Sequence, residues 1–145
     1  MTENMMTDYD VRGTSETGLT IEYAWNIGKA LADWLPTAGH MAVMYTASRH
    51  DLANAIIEGG RLQGRDIMDG GEGDRLTAAT HIQTGGLSGA AVVSVDDVTG
   101  ATVIELLQET GERIEAETGL REIGELIEAG NFVPAAVKGE LTAIA

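Results

Sequence analysis

The chain is 145 residues long, the size of one ordinary domain and enough to bury roughly 70% of the surface its unfolded form exposes. Acidic residues number 23 against 9 Lys plus Arg, a formal charge of −14 with Lys29 and Lys138 the only lysines, and so negative a surface argues against nucleic acid and membrane partners. Cysteine is absent, which removes disulfides and thiolate metal sites, and no apolar run approaches the roughly 20 residues of a membrane helix.

Residues 1–8 carry acid and no apolar core, so they do not form a secretory signal and read as a loose leader before a single domain over 9–145. The simplest location is then the cytoplasm. Tyr9–Gly13 is a short extended piece ended by glycine. From Thr20 the period becomes helical, with Ile21, Ala24, Trp25, Gly28, Leu31 and Leu35 on one face. Thr20 caps this helix, Glu22 sits in its first turn, and Pro36 ends it.

Met41–Thr46 reads as a buried strand, and Asp51–Leu62 as a second helix with Leu52, Ala55, Ile56 and Gly59 inward. Arg65–Asp69 is a short strand closed by Gly70-Gly71. Arg75–Gln83 is a third helix, broken at Gly85-Gly86. Ala90–Val95 is the clearest buried strand, followed by Asp96-Asp97, a tight link and another strand over Ala101–Leu107. Glu112–Ala129 is helical with a break at Gly119, and turns Ile114, Leu120, Ile123 and Ile127 inward. Residues 136–144 alternate as a final strand. Strands separated by helices of this length predict a layered α/β sheet with helices on both faces, and no linker or repeat divides it.

Five stretches in this order carry a resemblance. They are Tyr9-Asp-Val-Arg-Gly13; Leu19-Thr-Ile-Glu-Tyr-Ala24 with Ile27-Gly-Lys-Ala30; Ala55-Ile-Ile-Glu-Gly59 with Asp66-Ile-Met-Asp69; Gly100-Ala-Thr-Val103; and Lys138-Gly-Glu-Leu-Thr-Ala-Ile144. Together, from about residue 8 onward, they resemble domain I of the phosphoglucomutase/phosphomannomutase (α-D-phosphohexomutase) superfamily. The resemblance implies a three-layer α/β/α domain with a mixed, mostly parallel four-stranded sheet. It also implies phosphohexose isomerisation through a phosphoserine, with Mg²⁺, across four domains.

The departures from that pattern carry the functional reading. The family's Thr-Ala-Ser-His-Asn-Pro loop is shortened, so that its serine falls on Asp96 and its histidine on Asp97. The Gly-Arg-Asp-x-Arg loop is replaced by Met44–Asp51, where Arg49 is the only cation. The serine must carry a phosphoryl group and the loop arginine neutralises charge as it transfers. The expectation is a degenerate, non-catalytic phosphohexomutase-like domain that acts by binding or self-association and needs no cofactor. The alternative is a component of a split or larger phosphosugar mutase, with Asp96 in the phosphoserine position and Mg²⁺ required. A receiver-like module using Asp96 would need an acidic pair and a lysine that are not evident.

Asp96 and Asp97, adjacent at a strand end, either hold a cation or accept a phosphoryl group, or form a solvated acidic turn. Arg12 and Arg49 are the candidate ligand-binding residues; Arg12 either attracts an anion such as a sugar phosphate or pairs with Asp10. The partners then implied are a second copy of the chain, separate mutase domains or a sugar phosphate. Asp69–Arg75 is similar to the superfamily's metal loop, but lies in the wrong place and reads as a flexible turn with Asp74 as a cap. His40, His50 and His81 show no ligand spacing, Gly85–Gly89 reads as a loop, and Trp25 and Trp34 as packing residues. The scarce lysine, abundant alanine and glycine and single phenylalanine leave open either a plain solvated acidic surface or adaptation to high salt.

Overall fold

A computed structural model describes residues 5–36 and 38–143. In chain order it contains β1 (Val11–Gly13), α1 (Ile21–Trp34), β2 (Met41–Tyr45), a 3₁₀ turn (Ala47–Arg49), α2 (His50–Leu62), β3 (Ile67–Glu72), α3 (Arg75–Gly85), β4 (Gly89–Val95), β5 (Thr102–Gln108), a π-type turn (Ala116–Leu120), α4 (Arg121–Ala129) and β6 (Leu141–Ala143). One sheet runs in the order β1-β5-β4-β2-β3-β6. β4, β2, β3 and β6 are mutually parallel, whereas β5 is antiparallel to both its neighbours. The sheet is mixed and mostly parallel as expected, but it has six strands rather than four. The short extended pieces near the two chain ends satisfy the ladder edges of β5 and β3, whose backbone groups need partners.

The strands alternate two ways, which makes the sheet the middle of three layers. Met41, Val43, Ile67, Ala91, Val93, Ile104 and Leu106 pack with α1, α2 and α4 on one face. Ala42, Met44, Ala90, Val92 and Leu107 pack with Ala78, Ile82 and Leu87, from α3 and the turn after it, on the other. Strands covered on both faces read as continuous apolar runs, and for this reason β2 and β4 are the clearest in the sequence.

Thr20 caps α1 by accepting the Tyr23 N–H at 3.2 Å, and the helix ends before Pro36 as its sequence predicts. Its last turn is closed by Arg65, whose guanidinium donates to the carbonyls of Ala32 at 2.6 Å and Leu35 at 3.2 Å, a cation at the negative end of the helix dipole. The backbones of α1 and α2 touch where glycines face each other. A Cβ at Gly28 would run into the Ile56 carbonyl, and one at Gly59 into the Trp25 carbonyl. Ile21 was expected inward but is half exposed, because it lies two turns before that contact, at the open end of the groove between the helices.

Other local expectations change in the three-dimensional context. Gly70-Gly71 do not close β3. The register steps from Val43 opposite Asp69 to Met44 opposite Gly71, so Gly70 is the extra residue of a bulge and the strand runs on to Glu72. Glu112–Ile114 are extended rather than helical, with Arg113 bridging to Leu107. The break at Gly119 is present, at a φ of 149° with the Trp34 ring against its Cα. Residues 1–4 and Ile144 lie outside the described residues, but Met5–Asp8 are not loose. Met5 is buried, its carbonyl accepts the Arg12 N–H at 3.0 Å, and the Thr7 N–H reaches the Asp10 carbonyl at 2.8 Å. Among the described residues no helix is long and apolar enough to cross a membrane.

Candidate functional site

At the carboxyl end of β4 the chain turns back into β5 through a four-residue loop, 97–100. The Asp96 N–H donates to the Ala101 carbonyl at 2.9 Å, and the Gly100 N–H donates to the Asp96 carbonyl at 2.7 Å. Gly100 has a φ of 75°, a conformation that favours glycine. The Asp96 side chain holds this loop from within, Oδ1 accepting the N–H groups of Val98 at 2.9 Å and Thr99 at 3.3 Å. Its Oδ2 accepts from Arg12 at 3.1 Å. These two backbone donors, and then the guanidinium, hold the Asp96 carboxyl below its usual range. Asp97, beside it, is exposed at the loop's tip.

Arg12 reaches Asp96 because β1 pairs with β5, with Arg12 opposite Val103. The same guanidinium donates through Nε and Nη2 to the two carboxylate oxygens of Asp10, at 3.2 and 2.9 Å. Asp10 is only 4% exposed and also accepts the Thr7 hydroxyl at 2.7 Å. Burial pushes the Asp10 carboxyl up, but hydrogen bonds from Arg12 and Thr7 and the nearby positive charge outweigh it and leave it below the usual range. Arg12 is therefore an internal bridge between two carboxylates.

Arg49 meets the same hairpin from the other side. Its Nε donates to the Thr102 hydroxyl at 2.7 Å, Nη2 to the Gly100 carbonyl at 3.4 Å and Nη1 to the Ser48 carbonyl at 3.2 Å. Among the described residues no carboxylate pairs with it. Arg49 opens onto a cleft of about 300 Å³, together with hydroxyls of Thr14, Ser15, Thr20, Ser48 and Thr102. A guanidinium with neutral hydrogen-bond partners beside several hydroxyls supplies donors to a small anion, while the Asp51 carboxylate on the same cleft opposes it. The single arginine marked this place in the sequence; the hydroxyls from three other segments did not, because only the fold assembles them.

The remaining sequence candidates lie elsewhere. In the glycine-rich stretch, Asp69 accepts the Gly71 N–H at 2.9 Å and Asp74 caps α3 by accepting the Thr77 N–H at 2.9 Å. The expected flexible turn is in fact the bulged end of β3 followed by a helix cap. Gly86 closes α3. The His50 ring rests 5.0 Å from that of Tyr45. Among the described residues no group of three or more His, Asp and Glu is placed to hold a metal ion.

No protein-family model matches the chain. It is 30% identical over 131 residues to the phosphomannomutase of Salmonella typhimurium, and 29% identical over the same length to that of Escherichia coli. Each match covers 87% of this chain and 28% of the relative, so the chain spans little more than a quarter of the length of the curated relatives it matches. The crystal structure of a phosphoglucomutase/phosphomannomutase family protein from Burkholderia thailandensis superposes with a TM-score of 0.77 at 17% identity, over 99% of this chain and 33% of that one. In sequence and in fold alike, the chain is a phosphohexomutase-like domain.

Proposed function

We propose that this chain is a degenerate, non-catalytic phosphohexomutase-like domain that works by binding, with the Arg49 cleft as its anion site and a sugar phosphate as the ligand class. The observation that carries the reading is the engagement of Asp96. Three of the roughly four lone-pair positions of its carboxylate are taken, two by loop amides and one by Arg12. A phosphoryl acceptor must offer an unencumbered oxygen in line with the leaving group. Asp96 could offer one only by releasing Arg12 or opening its own turn. Binding needs neither, because Arg49 keeps its charge unpaired. A second copy of the chain or separate mutase domains are the macromolecular partners this reading admits.

The test is a coupled mutase assay on glucose and mannose phosphates with Mg²⁺ and a bisphosphate activator, at low and molar salt. The chain and its Asp96→Ser variant should both show no turnover, since groups that act as one catalytic unit are strongly non-additive. Sugar phosphate should nonetheless perturb the amides around Ser48, Arg49 and Thr102 in NMR titrations, and Arg49→Ala should abolish that response. Turnover by the unmodified chain that Asp96→Ala removes would overturn the reading.

One observation favours a second reading. Because the chain matches only 28% of each phosphomannomutase, it also fits one component of a split or larger phosphosugar mutase. Asp96 would then stand in the phosphoserine position, with Mg²⁺ supplying charge neutralisation when bound. Turnover appearing only when the chain is mixed with a protein carrying the other mutase domains would establish it.

A further inference from the structure

The open groove between the N-terminal halves of α1 and α2 adjoins the Arg49 cleft, with Ile21 and Asp51 on the border of both. Its volume is about 560 Å³, with Ile21, Trp25 and Ala55 as its apolar lining and Glu22, Asp51 and Glu58 around it. Ile21 is 50% exposed although it belongs to the apolar face of α1. Trp25 is held in place by Lys29, whose ammonium sits 3.4 Å from the ring centroid. The two helices cannot shift to close the groove, since their backbones already touch at Gly28 and Gly59. The groove is thus preformed, which lowers the ordering penalty of anything that enters it.

Charge selects the occupant. Glu58 is satisfied by Arg61 at 2.8 Å and Lys138 at 2.7 Å, but Glu22 and Asp51 have no ion-pair partner among the described residues. Each lies in the first turn of its helix, where a carboxylate favours the dipole. That accounts for the acids, but not for the exposed isoleucine between them. A second copy of a chain with a charge of −14 would bring like charge to this rim, and so would an anionic membrane. We infer that the groove docks a basic amphipathic helix of a partner protein, with an aliphatic anchor on Ile21, Trp25 and Ala55 and Lys or Arg side chains on Glu22 and Asp51. Residues 51–58 span roughly 10 Å at about 1.5 Å per residue, room for about two turns of such a helix.

The probe is a fluorescein-labelled, 18-residue Leu/Lys amphipathic peptide titrated into the full chain by anisotropy at 0.15 M KCl, beside a Leu/Glu peptide of the same pattern. The expected result is saturable one-to-one binding of the Leu/Lys peptide alone. Ile21→Ser should weaken it at least tenfold, and so should the pair Glu22→Lys with Asp51→Lys. Glu112→Lys with Glu117→Lys, which changes net charge equally on an exposed surface away from the groove, should change it less than threefold. Circular dichroism melts check that each variant is folded. Equal weakening by the two charge pairs would show a non-specific response to net charge and overturn the proposal. Equal binding of the Leu/Glu peptide would overturn it as well. So would a dimer in sedimentation that Ile21→Ser dissolves, because the occupant would then be a second copy.

Discussion

The Asp10–Arg12–Asp96 bridge couples a buried carboxylate to the loop through one guanidinium, and its pH response follows from Asp10. Asp10 titrates below its ordinary value of 3.8 in the folded chain. The stability it contributes is therefore complete above about pH 3.8 and is lost as pH falls through the lower folded value. Asp10→Asn should destabilise the protein at pH 7 by about 1–2 kcal/mol, a figure reduced from that of a fully buried pair because water reaches Arg12. The difference from the unmodified chain should shrink as pH falls below 3.8 and toward the lower folded value, beneath which Asp10 is protonated in both the folded and unfolded chains. Thermal melts from pH 7 to pH 2 measure it, and parallel curves for the two proteins would remove Asp10 from the account. The sequence shows Asp10 two places from Arg12, so their pairing is legible. The Arg12–Asp96 contact is not, because 84 residues separate the partners and only the β1-β5-β4 order brings them together.

The α1–α2 contact rests on the absence of two side chains. At Gly28 an alanine methyl would meet the Ile56 carbonyl, a backbone atom that moves only if α2 moves. Overpacking of this kind costs about 1–3 kcal/mol, against a gain of up to about 1 kcal/mol in helix propensity. Gly28→Ala should therefore be net destabilising in urea. Gly124, in α4, is the contrast. The nearest atom to its added Cβ is the Met6 methyl at 3.6 Å, ordinary contact, so Gly124→Ala should stabilise by up to about 1 kcal/mol. Equal effects at the two sites would mean that the glycine contact does not set the helix spacing. Helical periodicity alone placed Gly28 and Gly59 inward, and the core faces of α1 and α2 are legible for that reason. Local pattern failed where a partner strand decides the conformation. The bulge at Gly70 is defined by its register against β2, and Glu112–Ile114 become extended by pairing back toward β5.

The whole molecule carries far more negative charge than its ion pairs absorb. Ion pairs engage Asp10, Glu58, Asp96, Glu105, Glu115 and Glu117. With 23 acidic residues against 9 Lys plus Arg in the sequence, folding concentrates like charge on one small surface and raises its self-repulsion. Salt acts on this in two opposing ways. It weakens the exposed ion pairs, each contributing at most about 1 kcal/mol, and it screens the repulsion among the many remaining carboxylates. The screening length falls from about 10 Å at 0.1 M to about 3 Å at 1 M, shorter than most spacings between surface charges, so the second effect should prevail. The melting temperature should rise from 0.1 to 2 M KCl, by roughly 2–8 °C for each kcal/mol of repulsion relieved. Acid provides the internal control. Near pH 4.3, the isoelectric point of the sequence, positive and negative charges balance and the net repulsion is gone, so the rise should largely vanish there. A melting temperature that is flat or falling with KCl at pH 7 would leave a plain solvated acidic surface with no adaptation to salt. An equal rise at both pH values would assign the effect to salt acting on apolar burial rather than on charge.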